Sequence, residues 1–75
     1  FAYDDDLIIE IGPGRGALTK KLREKNSYLL AFELDTDLKP ILSKLENEKV
    51  KIIYKDFLKT DLWYEIKNYN FNNYL

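Results

Sequence analysis

The side chains able to do chemistry in this sequence are few, and they are grouped. Its three glycines, Gly12, Gly14 and Gly16, all fall in the heptapeptide Glu10-Ile11-Gly12-Pro13-Gly14-Arg15-Gly16. Glycine costs backbone entropy and offers nothing to pack, so its confinement to one turn marks a place where a ligand comes close to the main chain. Three carboxylates accompany it: Glu10 just before the turn, Glu33, and Asp56. Glu33 lies close to the spacing of about 20 residues past a glycine turn at which an acid accepts hydrogen bonds from a ribose diol. A carboxylate at Asp56 can accept from the exocyclic amine of an adenine, while the main-chain N–H of Phe57 serves the ring nitrogen. Each acid also has a plainer reading, with Glu10 a solvent-facing strand end and Glu33 and Asp56 turn residues or helix caps. With no cysteine and no histidine, disulfides, thiol nucleophiles and imidazole bases are excluded within these residues.

The segments around these residues must position them. Asp6 to Ile11 is a short apolar run rich in β-branched residues, and Ala17 to Lys25 carries Ala17, Leu18 and Leu22 on one helical face. Strands are expected again at Tyr28 to Leu34 and Val50 to Tyr54. A helix is expected from Asp37 to Glu48, capped by Asp35 or Thr36, with Leu38, Ile41, Leu42 and Leu45 as its apolar stripe and Pro40 near its start. The order βαβαβ predicts an α/β fold with a three-stranded parallel sheet. In such sheets ligands bind at the carboxyl ends of the strands, so the three acids should converge on one edge. Right-handed crossovers put both helices on one face of the sheet. The first two strands are nevertheless apolar on both faces, as in sheets covered from two sides, so a second cover is expected from elsewhere.

The glycine turn fits two chemistries. Gly12-x-Gly14-x-x-Ala17 satisfies a dinucleotide fingerprint as well as a shorter Gly-x-Gly-x-Gly pattern. A pyrophosphate requires main-chain N–H groups and positive surroundings, whereas Pro13 lacks an N–H and Glu10 brings negative charge. A ligand with sulfonium and ammonium groups and no phosphate, such as S-adenosylmethionine, suits that setting better. The net charge of −1 gives no overall pull toward nucleic acid or membrane, and no segment is long enough to span a membrane. Charge is segregated all the same, acids preceding the turn and Arg15, Lys20, Lys21, Arg23 and Lys25 following it, mostly as a solvated helix face.

The string Glu10-Ile-Gly-Pro-Gly-Arg-Gly-Ala-Leu-Thr19, then Phe32-Glu-Leu-Asp35, then Lys55-Asp-Phe-Leu58, resembles the ribosomal RNA adenine dimethyltransferases, in particular the housekeeping small-subunit enzymes. The resemblance implies a partial Rossmann-like class I methyltransferase fold that binds S-adenosylmethionine and places two methyl groups on N6 of adenines in ribosomal RNA of the small subunit. It implies that Gly12 and Gly14 pass beside the methionine portion of the cofactor, that Gly16 permits close helix–strand contact, and that Glu33 holds the ribose hydroxyls. Leu34 would pack on the adenine, Asp56 would contact its amine with Phe57 beside the ring, and Glu10 would help to orient the amino end through water. Two elements of the family fall outside the sequence, a Gln-Asn-Phe stretch before Phe1 and an Asn-Leu/Ile-Pro-Tyr motif after Leu75, so no catalytic residue is assigned.

Residues 1–75 are therefore expected to be the cofactor-binding part of one methyltransferase domain, cut before a fourth strand that begins near Asn72, with the rest of the same chain as partner and a cytoplasmic or organellar setting. Alone, such a segment is expected to expose an apolar sheet face and to aggregate. Two other readings stay open. One is a nucleic-acid-binding factor, because mitochondrial transcription factors resemble this family; the other is a nicotinamide dehydrogenase using Gly12, Gly14, Ala17 and Glu33.

Overall fold

Alternating β-branched runs and polar amphipathic segments build a parallel sheet with helical crossovers. The computed structural model describes residues 6–25 and 27–68. Strand β1 (Leu7–Ile11) leads through the glycine turn into α1 (Ala17–Leu22), β2 (Tyr28–Phe32), α2 (Lys39–Leu42), β3 (Val50–Ile53) and α3 (Leu62–Asn68). The strands lie in the order β1-β2-β3 and both pairs are parallel. Leu7 stands opposite Tyr28 and Leu29 opposite Val50, so the three carboxyl ends fall along one edge.

Several elements are shorter than their sequence pattern. Strand β2 stops at Phe32 because the Glu33 carboxylate turns back to accept from the Asp35 N–H at 3.0 Å, which bends the chain away from the sheet. Strand β3 stops at Ile53. Helix α1 ends at Leu22, after which Glu24 and Lys25 donate to the carbonyls of Lys21 and Leu22 and close tight turns. The single helix expected over residues 37–48 is instead a composite: a 3-10 turn at Thr36–Leu38, α2 itself, and a second 3-10 turn at Ser43–Leu45. Asp35 caps its start by accepting from the Asp37 N–H at 2.9 Å. Beyond its end, the Asn47 side chain accepts from the N–H groups of Lys49 and Val50 and steers the chain into β3.

Two apolar clusters occupy the two faces of the sheet. Ala31 and Ile52 pack with Leu42, joined by Leu38, Leu45 and Tyr54. Leu30, Phe32 and Ile53 pack with Ile66, joined by Leu62, Phe57, Leu7 and Ile9. The missing cover is thus supplied, over β2 and β3, by α3, an element additional to the expected βαβαβ order. The signals for α3 were there: Leu62 and Ile66 are one helical turn apart, and Asp61 accepts from the Tyr64 N–H as an N-cap. Exposed Trp63 and Tyr64 hide that periodicity. Over β1 the cover thins, leaving Leu7, Ile8 and Ile9 half-buried. The fourth strand expected near Asn72 lies outside the described residues.

The buried face of α1 also differs from expectation. Leu18 is 57 % exposed and Ala17 is exposed, while Thr19 is fully buried. A hydrogen bond accounts for the rotation, since the Thr19 hydroxyl donates to Glu10 Oε1 at 2.7 Å beneath the helix.

Candidate functional site

The site begins with the main-chain bonds of the glycine turn. Gly12, Gly14 and Gly16 have φ of 70, 59 and 88°, a region that residues with a Cβ rarely enter. The Gly12 N–H donates to the Phe32 carbonyl at 2.8 Å and the Gly16 N–H to the Pro13 carbonyl at 2.9 Å. The Gly14 N–H donates to Glu33 Oε1 at 3.0 Å. All three glycine donors are therefore committed within the protein, and Pro13 has none. A Cβ added to Gly12 or Gly14 would meet nothing within 4 Å, so these positions keep open space beside a backbone that is already hydrogen-bonded.

Glu33 is the best-held polar group here. It stands one residue beyond β2 and is 8 % exposed. Gly14 N–H binds one carboxylate oxygen and Asp35 N–H the other, at 3.0 Å each. An ionised carboxylate offers about four acceptor sites, so each oxygen retains a lone pair for a ligand, and the side chain cannot swing away. A vicinal diol is the donor pair that matches two such oxygens.

A cleft of about 410 Å³ opens at this edge of the sheet, and Gly12, Glu33, Leu34, Asp56 and Phe57 all line it. Five of the six residues proposed from sequence thus meet in one place, and Gly14 joins them through its bond to Glu33. Leu34 is 70 % exposed, an apolar side chain held toward solvent at the mouth. Phe57 is half-buried, its ring edge-on to Phe32 with centroids 5.1 Å apart, which fixes its orientation. Asp56 does serve as a cap: its Oδ1 accepts from the Leu58 N–H at 3.0 Å and starts a 3-10 turn at Phe57–Lys59. The Phe57 N–H takes no part in that cap.

Three residues take other roles. Glu10 does not line the cleft; it is buried at 9 % exposure and bound to Thr19, tying β1 to α1 beneath the turn. Gly16 permits close contact with helical residues rather than with a strand, since a Cβ there would lie 2.5 Å from Leu45 Cδ1 and 3.2 Å from Leu42 Cδ2. Lys55, on the cleft wall, forms an ion pair at 3.0 Å with Glu65 of α3, whose side chain is 2 % exposed. The sequence pattern singled out neither Thr19 nor Glu65, and only Thr19, adjoining the glycine turn, carried a local clue. Burial, together with the charges of Glu46 and Glu33, raises the phenol pKa of Tyr54 above the ordinary 10.0.

Among the described residues no group of His, Cys, Asp or Glu is arranged to hold a metal ion. No helix among them is long and apolar enough to cross a membrane.

Comparison with known proteins places this geometry in context. The family model for ribosomal RNA adenine dimethylase matches residues 3–74. The sequence is 50 % identical over 62 residues to ribosomal RNA small subunit methyltransferase A of Phytoplasma australiense, covering 83 % of this chain and 22 % of that protein. It is 46 % identical over 65 residues to the protein of the same name from Onion yellows phytoplasma (strain OY-M), covering 87 % of this chain and 24 % of that one. The chain thus spans about a quarter of the length of the curated relatives it matches. The crystal structure of the 23S rRNA methyltransferase ErmE superposes with a TM-score of 0.62 at 27 % identity, over 79 % of this chain and 25 % of that one.

Proposed function

The chain belongs to the ribosomal RNA adenine dimethylase family, and we propose that it forms the cofactor-binding part of an S-adenosylmethionine-dependent methyltransferase that dimethylates N6 of adenines in small-subunit ribosomal RNA. One observation carries this reading. The glycine turn donates an N–H to a carboxylate, Gly14 to Glu33, where a phosphate-binding turn would keep its N–H groups for the ligand. The cleft therefore suits an adenosine without phosphate, which fits S-adenosylmethionine and does not fit a dinucleotide.

When bound, S-adenosylmethionine supplies an electrophilic methyl group on a positively charged sulfur. The residues of this chain bind and orient it. Glu33 accepts from both ribose hydroxyls, with no reorganisation because two main-chain donors already hold it. Leu34 and Phe57 give the adenine ring apolar contact, Asp56 accepts from its amine, and the Phe57 N–H donates to a ring nitrogen. Gly12 and Gly14, with no side chains, leave room for the methionine portion. Attack by an adenine amine on a methyl carbon depends chiefly on positioning, which agrees with a site that lacks histidine and cysteine. The grip on the target adenine belongs to the rest of the methyltransferase chain, which works on ribosomes in the cytoplasm.

The test is methyl transfer by the full chain from labelled S-adenosylmethionine to unmethylated small-subunit ribosomal RNA. Label recovered as N6,N6-dimethyladenine is the expected result, and label recovered on another base or none would overturn the reading.

A further inference from the structure

A second concavity lies beside the turn, between α1 and the helical stretch that follows it. This groove of about 710 Å³ is lined by Arg15, Lys20, Lys21 and Lys44, with Glu24 as its one acid among the described residues and Ala17 and Leu45 among its apolar residues. No carboxylate among the described residues lies within ion-pair distance of any of these four cations. The gathering is not a consequence of overall basicity, because the whole chain carries a net charge of −1. Gathered, unpaired cations repel one another, and an apolar floor strengthens the field between them. A polyanion relieves that repulsion.

Gly16 builds the groove. Because a Cβ there would collide with Leu45, its absence lets the start of α1 approach the end of the second helical stretch, and Lys44 comes to share a groove with Lys20 and Lys21. The groove and the cleft adjoin the same turn, which contributes Gly12 to the cleft and Arg15 and Gly16 to the groove.

We propose that this groove holds the phosphate backbone of the RNA strand on which the enzyme acts. The inference rests on the function proposed above, and it favours RNA over other polyanions because the substrate proposed there is an RNA, whose phosphates complement the gathered cations.

Salt dependence tests it. Binding of a fluorescent single-stranded oligoribonucleotide to the full chain is measured across a range of salt concentrations, beside calorimetric titration with S-adenosylmethionine. The three lysines are exposed, so K20Q/K21Q/K44Q keeps the fold. Each phosphate contact in single-stranded RNA contributes a slope of about 0.7 in log affinity against log salt, so this variant should flatten the slope by about 2. K20R/K21R/K44R should retain the slope. K51Q/K59Q/K67Q, which removes equal charge outside the groove, should leave it unchanged. An unaltered slope in the groove variant, an equal loss in the outside variant, or equal competition by polyglutamate would overturn the proposal. Failure of S-adenosylmethionine to bind the wild-type chain would instead overturn the functional reading and leave the slope result standing.

Discussion

The cleft and the groove adjoin one glycine turn, yet they treat polar groups in opposite ways. In the cleft the Glu33 carboxylate is buried and bound at both oxygens by main-chain N–H groups, and Asp56 is fixed as a cap. In the groove four cations stand without a carboxylate partner among the described residues. Rigid acceptors suit a small ligand of fixed shape, for which prior ordering lowers the cost of binding. Unpartnered cations on long side chains suit a chain of phosphates whose path varies. The difference fits the roles proposed for them, recognition of one molecule in the cleft and retention of a polymer in the groove.

Breaking the turn where the two regions meet should have the largest effect. Gly16→Ala places a Cβ against Leu45 at a φ of 88°, and left-handed strain together with overpacking should cost about 3 kcal/mol, seen as a lower midpoint in urea unfolding of the full chain. Full stability in this variant would mean that Gly16 does not set the spacing of the helices. Thr19→Val acts only beneath the cleft, stranding the buried Glu10 carboxylate that it now satisfies. A loss of about 2 kcal/mol is expected, and Thr19→Ser should recover most of it.

Tyr54→Phe should have the smallest effect and the opposite sign. The Tyr54 hydroxyl is buried with no hydrogen-bond partner among the described residues, so its removal should raise stability by about 1 kcal/mol. Burial holds the folded phenol protonated more firmly than the unfolded one, whose pKa is 10.0. The wild type therefore loses stability as pH rises above that value, and urea midpoints between pH 9 and about 11 should fall less steeply in the variant.

Local patterns made the sheet and the cleft legible. Strand identities followed from β-branched runs, and the positions of Glu33, Asp56 and Gly12 followed from the rule that parallel strands present their carboxyl ends to a ligand. What escaped depended on contacts between distant residues. Thr19 looks like an exposed helical residue until its bond to Glu10 turns α1 about its axis. The close contact of Gly16 is with Leu45, 29 positions onward, and no strand pattern points to that partner. Helix α3 was obscured because Trp63 and Tyr64 are exposed while Glu65 is buried against Lys55, the reverse of what hydrophobicity alone suggests.

The central claim is that a carboxylate anchored by the glycine turn receives a phosphate-free adenosine. Calorimetric titration of the full chain and its Glu33→Ala variant with S-adenosylmethionine, with NADH as comparison, tests it most directly. The account predicts saturable binding of S-adenosylmethionine, weakened by about 1 to 3 kcal/mol in the variant, and no comparable affinity for NADH. An unchanged dissociation constant in Glu33→Ala, or tight NADH binding without S-adenosylmethionine binding, would contradict it.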